Sequence, residues 1–258
     1  KTSQKSVLLG LSGGIDSALS CALAVDAIGK ENVYGVALPS RYSSVHSLQD
    51  AKTLADNLGV NYSEIGIDSA HKTFESLLEL SDLASENIQA RIRAVILMGI
   101  SNTSGHLLLS TGNKSEIAVG YSTMYGDAAG GFAPIKDLYK TEVWALSTWL
   151  NESRDQELIP WSSINKAPSA ELRPGQLDQD SLPDYEVLDK VIKALVEDSM
   201  TIDEISNQGF DRELVREIDA MIRRAEWKRS QGAIGTKVSA VAFGSGRRVP
   251  LTTRFEKL

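Results

Sequence analysis

The chain has 258 residues, 42% of them apolar, enough to bury a sizeable core in one large domain or two small ones. Its 27 Lys+Arg against 34 Asp+Glu give a net charge of −7, which argues against sequence-independent nucleic-acid binding but leaves room for an anionic small substrate held by local charge. One cysteine excludes a disulfide framework, no apolar run approaches the roughly 20 residues of a membrane span, and Lys1-Thr2-Ser3-Gln4 is too short and polar for a signal peptide, so the expected compartment is the cytoplasm.

Val7 to Leu11 is a short apolar run bounded by serines and predicts a buried strand. Leu19, Ala22, Leu23 and Ala27 recur at helical spacing through Ala18–Ile28, and Gly29 supplies a stop. Val33 to Leu38 is a second strand, ended by Pro39. Ser47-Leu48-Gln49-Asp50 has the spacing of a capping box, followed by the stripe Ala51, Leu54, Ala55 and Leu58. Tyr62–Ile67 is a third strand. A long helix then places Ile88, Ile92, Val95, Ile96 and Gly99 on one face, with Asn87 and Arg91 a turn apart on another. His106–Ser110 is the fourth strand. Strands alternating with helices predict an α/β fold: a doubly wound parallel sheet with helices on both faces.

After Gly112 the pattern loosens. Gly120–Lys136 is rich in Gly, Ala and Tyr and reads as loop, and Thr141–Leu150 as a helix. Residues 151–183 form a polar stretch with four prolines, the composition of a functional lid or of a partly disordered segment. Helices at Pro183–Val196 and Asp211–Gln231 close the chain, the second capped by Asp211 with Phe210 stapled to Val215. With no internal repeat and no independent second core in the pattern, residues 1–258 are expected to form one domain.

The strongest local signal is Gly10-Leu11-Ser12-Gly13-Gly14-Ile15-Asp16-Ser17, between the first strand and the first helix. Glycines there let backbone N–H groups converge on an anion at a helix N-terminus, and Ser12 and Ser17 add hydroxyl donors. Asp16 would repel a phosphate unless a cation lay between them, which implies Mg²⁺. The loop lacks Gly-Lys-Ser/Thr and is not a Walker motif.

This segment resembles the pyrophosphate loop of the N-type ATP pyrophosphatases, which cleave ATP between its α and β phosphates and adenylate an acid. Within that superfamily Glu86–Arg91, Thr111–Glu116, Tyr125–Phe132, Pro168–Leu172 and Asp178–Pro183 resemble NAD synthetase, and the likeness runs from Val7 to about Arg254. Its details are most similar to the synthetase domain of the glutamine-dependent enzymes, whose ammonia comes from an N-terminal amidase. That domain is expected to be missing here, which accounts for a chain that opens on Lys1 rather than Met.

The resemblance implies ATP-dependent amidation of deamido-NAD by ammonia, with Mg²⁺, in a homodimer. It places Gly10–Ser17, Thr111, Lys140 and Ser169 at ATP, with Arg41 as a further candidate. Asn87, Arg91, Glu116 and Lys228 fall at deamido-NAD, and Asp16 and Glu116 at the metal. Asp16 and Lys140 are the catalytic candidates. Two departures stand out: Met124 replaces the lysine that ammonia-dependent relatives tend to carry, and Gln231–Gly235 lacks paired prolines. Cys21 reads as a small core residue, and His46, His71 and His106 show no metal-ligand spacing. Other adenylating relatives, and non-catalytic ATP-binding modules such as universal stress proteins, are the competing readings; two metal carboxylates exceed what simple ATP retention requires.

Overall fold

The computed structural model describes residues 3–244 and 246–251. Lys1 and Arg254, where the chain opens and where the family likeness was expected to end, lie outside them.

Strands β1 (Val7–Gly10), β2 (Val33–Ala37), β3 (Asn61–Glu64) and β4 (Leu107–Leu108) form one parallel sheet in the order β3-β2-β1-β4. Val7 pairs with Val33 and with Leu107, so the first strand is central. The predicted fourth strand is cut short because its backbone changes partner. Leu109 N–H still donates to Leu8, but Ser110 N–H donates to Phe132, and a parallel bridge joins Leu109 to Phe132.

The central position of β1 explains its continuous apolar run, since both faces are covered. Leu9 points into a cluster with α1 (Ile15–Ile28), α2 (Val45–Leu58) and α6 (Lys140–Ser153), including Leu19, Leu54 and Val143. Leu8 points to the opposite face, where α4 (Asp82–Ser104) contributes Ile92 and Leu97. The period-2 alternation of a strand thus divides two layers of helix between neighbouring residues. Helix α3 (Asp68–Leu77) lies beside α4, and Ser81 caps α4 by accepting from Ala84 N–H.

A second apolar cluster is built by α5 (Lys114–Val119), α8 (Tyr185–Val196), α9 (Ile202–Ser206) and α10 (Arg212–Arg224), around Leu188, Ile192, Ile205 and Ile218. Trp144 of α6 packs against both this cluster and the one under the sheet and so bridges them.

Three local expectations shift. Helix α2 is capped by Ser44, which accepts from Ser47 N–H; the serine three residues later sits inside the helix. The expected Asp211–Gln231 helix breaks at Ala225 into α10 and α11 (Glu226–Arg229). Arg229 of α11 donates to the carbonyls of Ala118 and Ile222. The proline-rich segment folds a short helix of its own, α7 (Trp161–Asn165), and then crosses the carboxyl edge of the sheet.

Candidate active site

The glycine-rich turn leaves β1 and enters α1 at Ile15, putting Asp16 in the first helical turn. Gly13 is at φ 77°, and a Cβ there would stand 2.1 Å from the Ser47 carbonyl oxygen, so only glycine fits against the start of α2. Ser163 of α7 donates to the Gly13 carbonyl at 3.1 Å, and Ser17 Oγ donates to that of Gly14 at 3.0 Å. The hydroxyls of Ser12 and Ser17 are 3.2 Å apart, and Gly14 N–H donates to Ser12 Oγ at 3.2 Å. The turn is therefore shaped by its own side chains and by two neighbouring helices.

Asp16, Asn113, Glu116 and Lys140 meet at the end of this turn. Asn113 Nδ2 donates to Asp16 Oδ1 at 2.9 Å, and Lys140 Nζ donates to Asp16 Oδ2 at 2.5 Å, with Glu116 Oε1 at 3.5 Å from the same ammonium. Lys140 is the first residue of α6, where a cation opposes the helix dipole; the two carboxylates supply the compensating charge. Its backbone N–H is taken by Ser115 Oγ at 2.9 Å. Burial pulls the Lys140 ammonium down, but Asp16 and Glu116 more than offset it and hold the group above its ordinary value. Burial, reinforced by the Asp16 charge, pushes the Glu116 carboxyl up to about 8.

Two residues of this centre carried no assignment in the sequence reading. Asn113 caps α5, accepting from Glu116 N–H, while Glu116 reaches back toward Asn113 N–H. The Asn-x-x-Glu spacing was the available signal for that cap; its second job, holding Asp16, is visible only in three dimensions. Asp178, in the segment after α7, accepts from Tyr185 at 2.9 Å and Tyr121 at 3.2 Å, and burial raises its carboxyl. It opens the Asp178–Pro183 run that carries the family resemblance, which gave it no role of its own.

Asn87 and Arg91 face a different wall. Thr123 donates to Asn87 Oδ1 at 2.8 Å, and Arg91 Nε donates to the Met124 carbonyl at 3.2 Å. Lys228 donates to the carbonyls of Gly120 and Ser122, both at 2.7 Å, and burial lowers its ammonium. The three residues thus hold one loop, 120–124, from two sides. Glu116, Asp127 and Lys228 line a cavity of about 40 Å³, which connects this loop with the Lys140 cluster. Thr111 lies partly exposed on the turn before Asn113. Ser169 donates to the Gln176 carbonyl and lines a second cavity of about 520 Å³ together with Ser44, Asp50 and Glu171. Arg41 pairs with Asp68 and Glu75 of α3.

The segment after α7 is anchored at Glu171, a non-glycine residue at φ 48°. Its carboxylate accepts from Ser44 N–H at 3.1 Å, Ser47 Oγ at 2.7 Å and Lys166 Nζ at 2.8 Å. These donors keep its carboxyl below the ordinary range against the contrary effect of burial.

Among the described residues, no three His, Cys, Asp or Glu side chains cluster as a metal site, and no helix is long and apolar enough to cross a membrane. Asp16 and Glu116 nonetheless fit a hard divalent cation. They are partly exposed oxygen donors beside one another at the glycine-rich turn, and Mg²⁺ is usually held by one or two carboxylates together with substrate phosphates.

A family model described as NAD synthase matches residues 1–232. The chain belongs to the NAD synthase family. It is 49% identical over 263 residues to the glutamine-dependent NAD(+) synthetase of Thermotoga maritima, covering 100% of this chain and 46% of that protein. The Synechocystis glutamine-dependent NAD(+) synthetase is 54% identical over 254 residues, with 96% and 45% covered. The chain therefore spans about half the length of these curated relatives. Among solved structures, the Acinetobacter baumannii glutamine-dependent NAD+ synthetase in complex with ADP has a TM-score of 0.63 at 42% identity, covering 97% of this chain and 46% of that one. The Campylobacter jejuni NH3-dependent NAD synthetase has a TM-score of 0.71 at 32% identity, covering 88% of this chain and 87% of that one. Membership in the NAD synthase family agrees with the parallel sheet, the glycine-rich turn and the charged cluster at its carboxyl edge.

Proposed function

We propose that this chain converts deamido-NAD to NAD, using ATP and ammonia and releasing AMP and pyrophosphate. The observation that carries the reading is the convergence of Asp16, Glu116 and Lys140 at the mouth of the Gly10–Ser17 turn. In the first step a nicotinate carboxylate oxygen bonds to the α-phosphorus, and pyrophosphate leaves with the electron pair of the broken P–O bond. In the second, ammonia attacks the acyl carbon of the adenylate, AMP leaves, and the amide nitrogen sheds a proton. Both nucleophiles are substrates, so the protein's work is positioning and charge stabilisation.

Ser12, Gly13, Gly14 and Ser17 present donors to the departing pyrophosphate, with Gly10, Leu11 and Ile15 shaping the turn, and Thr111 and Ser169 complete the ATP side. Lys140 exchanges its carboxylate partners for phosphate oxygens as negative charge moves onto the leaving group. Asp16 and Glu116 would hold Mg²⁺, which when bound would supply charge neutralisation and Lewis acidity at the phosphates. Asn87, Arg91 and Lys228 bind deamido-NAD, with Glu116 at its reacting end. Arg41 is committed to α3 and drops to a peripheral place in this scheme.

The same reading includes a homodimer. Leu83, Val95 and Met98 of α4 are exposed, as are Leu77 and Leu78 just before it, an apolar face that a second copy would cover. An amidase elsewhere in the intact protein would supply the ammonia. Cytoplasmic placement is supported by the lone cysteine, which asks nothing of an oxidising compartment.

The test is NAD formation from deamido-NAD and ATP with ammonium or glutamine as donor. The expected result is turnover with ammonium only, with one AMP per NAD. Pyrophosphate release that requires xanthosine monophosphate, aspartate or tRNA instead of deamido-NAD would overturn the assignment.

A further inference from the structure

Gln89 and Arg93 have no part in the scheme above. They stand one turn apart on α4 and so share a face of that helix. Gln89 is fully buried: its amide nitrogen donates to the Leu172 carbonyl of the lid at 2.9 Å, and its Oε1 has no partner among the described residues. Arg93 donates from Nε to the Leu38 carbonyl at 2.9 Å, just past the end of β2. Its charge is felt by Glu171, Asp127 and Asp68 only at longer range, and burial pulls the guanidinium down to about 10. Among the described residues no carboxylate forms an ion pair with it, although a guanidinium carries five N–H donors. The side chain remains partly accessible to solvent. Its remaining N–H donors, without a protein partner among the described residues, can therefore meet an anionic ligand.

Its place in the sheet suggests which anion. The end of β2 adjoins that of β1, and Leu11 N–H, on entering the glycine-rich turn, donates to Val36 of β2. With pyrophosphate in that turn, the rest of the nucleotide must leave toward β2 or toward β4. The β4 side, with Glu116 and Lys228, is taken by deamido-NAD in the scheme above, which leaves the β2 side, where Arg93 stands, for the adenosine end. We propose that Arg93 binds the α-phosphate of ATP, the one that stays with adenosine, and that Gln89 Oε1 accepts a hydrogen bond from the same nucleotide. Arg clasps phosphate through paired N–H bonds, and here it would offset charge on the phosphorus that the nicotinate carboxylate attacks. The lid residue Leu172, held by Gln89, would close over this contact. This assignment rests on the ATP-cleaving function above.

AMP and inorganic pyrophosphate separate the two ends of the nucleotide. Calorimetric titration of each into the wild-type protein, Arg93→Gln and Arg93→Lys is the test, together with KM for ATP and for deamido-NAD. Loss of a charged hydrogen bond corresponds to roughly ten- to a hundredfold in affinity. Arg93→Gln is expected to weaken AMP and raise KM for ATP by about that factor, leaving pyrophosphate affinity, KM for deamido-NAD and the thermal midpoint near wild type, and Arg93→Lys is expected to recover part of the loss. Gln89→Leu is expected to weaken AMP by a smaller factor. Unchanged AMP affinity in Arg93→Gln would overturn the proposal. So would an equal loss for AMP, pyrophosphate and deamido-NAD with a lowered midpoint, the mark of a purely structural arginine. A wild-type protein that binds AMP in this Arg93-dependent way but makes no NAD would instead refute the functional reading.

Discussion

Lys114 and Lys140 open two successive helices, and each lies between two carboxylates, yet their surroundings give them different work. Lys114 is fully buried and fully used. It donates to Glu197 at 2.7 Å, Ser239 Oγ at 2.6 Å and the Val241 carbonyl at 3.0 Å, lies 3.1 Å from Asp137, and sits over the Tyr139 ring. Asp137 in turn accepts from the backbone N–H groups of Val238 and Ser239, so the cluster locks the C-terminal segment onto α5 and α6. At Lys140 the ammonium is equally enclosed, but Asp16 and Glu116 each keep about 18% of their side-chain surface exposed. One arrangement is closed by its own hydrogen bonds. The other leaves oxygen atoms facing a cleft, and a buried ion pair becomes useful chemically when a ligand can still reach it.

Removing each lysine tests that difference. Lys140→Met is expected to lower NAD formation by about 10²–10³-fold, the scale of losing a preorganised charge at a reacting centre, as read from initial rates at saturating substrates. If turnover survived within a fewfold of wild type, the two lysines would be equivalent structural anchors. Lys114→Met leaves Asp137 and Glu197 buried without their cation, and a loss of about 3–5 kcal/mol in unfolding free energy is expected from denaturant titration. The folded fraction should then turn over near the wild-type rate, so a full-stability variant with dead chemistry would reverse the assignment.

Smaller effects refine the boundary between the two regions. Asn113→Ala removes both the α5 cap and the tie to Asp16. About 1 kcal/mol of stability should go with the cap, and a rate loss of about tenfold should accompany the freed carboxylate. A stability change without any rate change would confine Asn113 to capping. The mildest check concerns Cys21, whose thiol burial pushes up to about 12. Because the thiolate is the reactive form, native protein at pH 8 should resist thiol reagents that label it promptly after denaturation. Fast labelling of the native chain would mean that the core beneath the phosphate turn opens readily.

How far such features could be read from residues alone follows their range. The alternation of Leu8 and Leu9, the stripe Leu54-Ala55-Leu58 and the run Gly10–Ser17 act over a few residues, and they predicted the layers, the helices and the phosphate turn. The break at Ala225 escaped because Arg229 is drawn toward carbonyls more than a hundred residues earlier. The true cap of α2 lies at Ser44 rather than Ser47, and that choice is reinforced by Glu171, which accepts from both serines.

The sequence by itself determined the family, the α/β fold and the residue types gathered near a phosphate, because those depend on local spacing and hydrophobic period. Tertiary structure alone decided that Asn113 holds Asp16, that Lys114 is a bolt while the carboxylates around Lys140 keep solvent access, and that Arg93, at the end of β2, pairs with no carboxylate among the described residues. The reason is physical: an ion pair's role depends on solvent access and on partners brought from distant parts of the chain, and neither is encoded in the residues beside it.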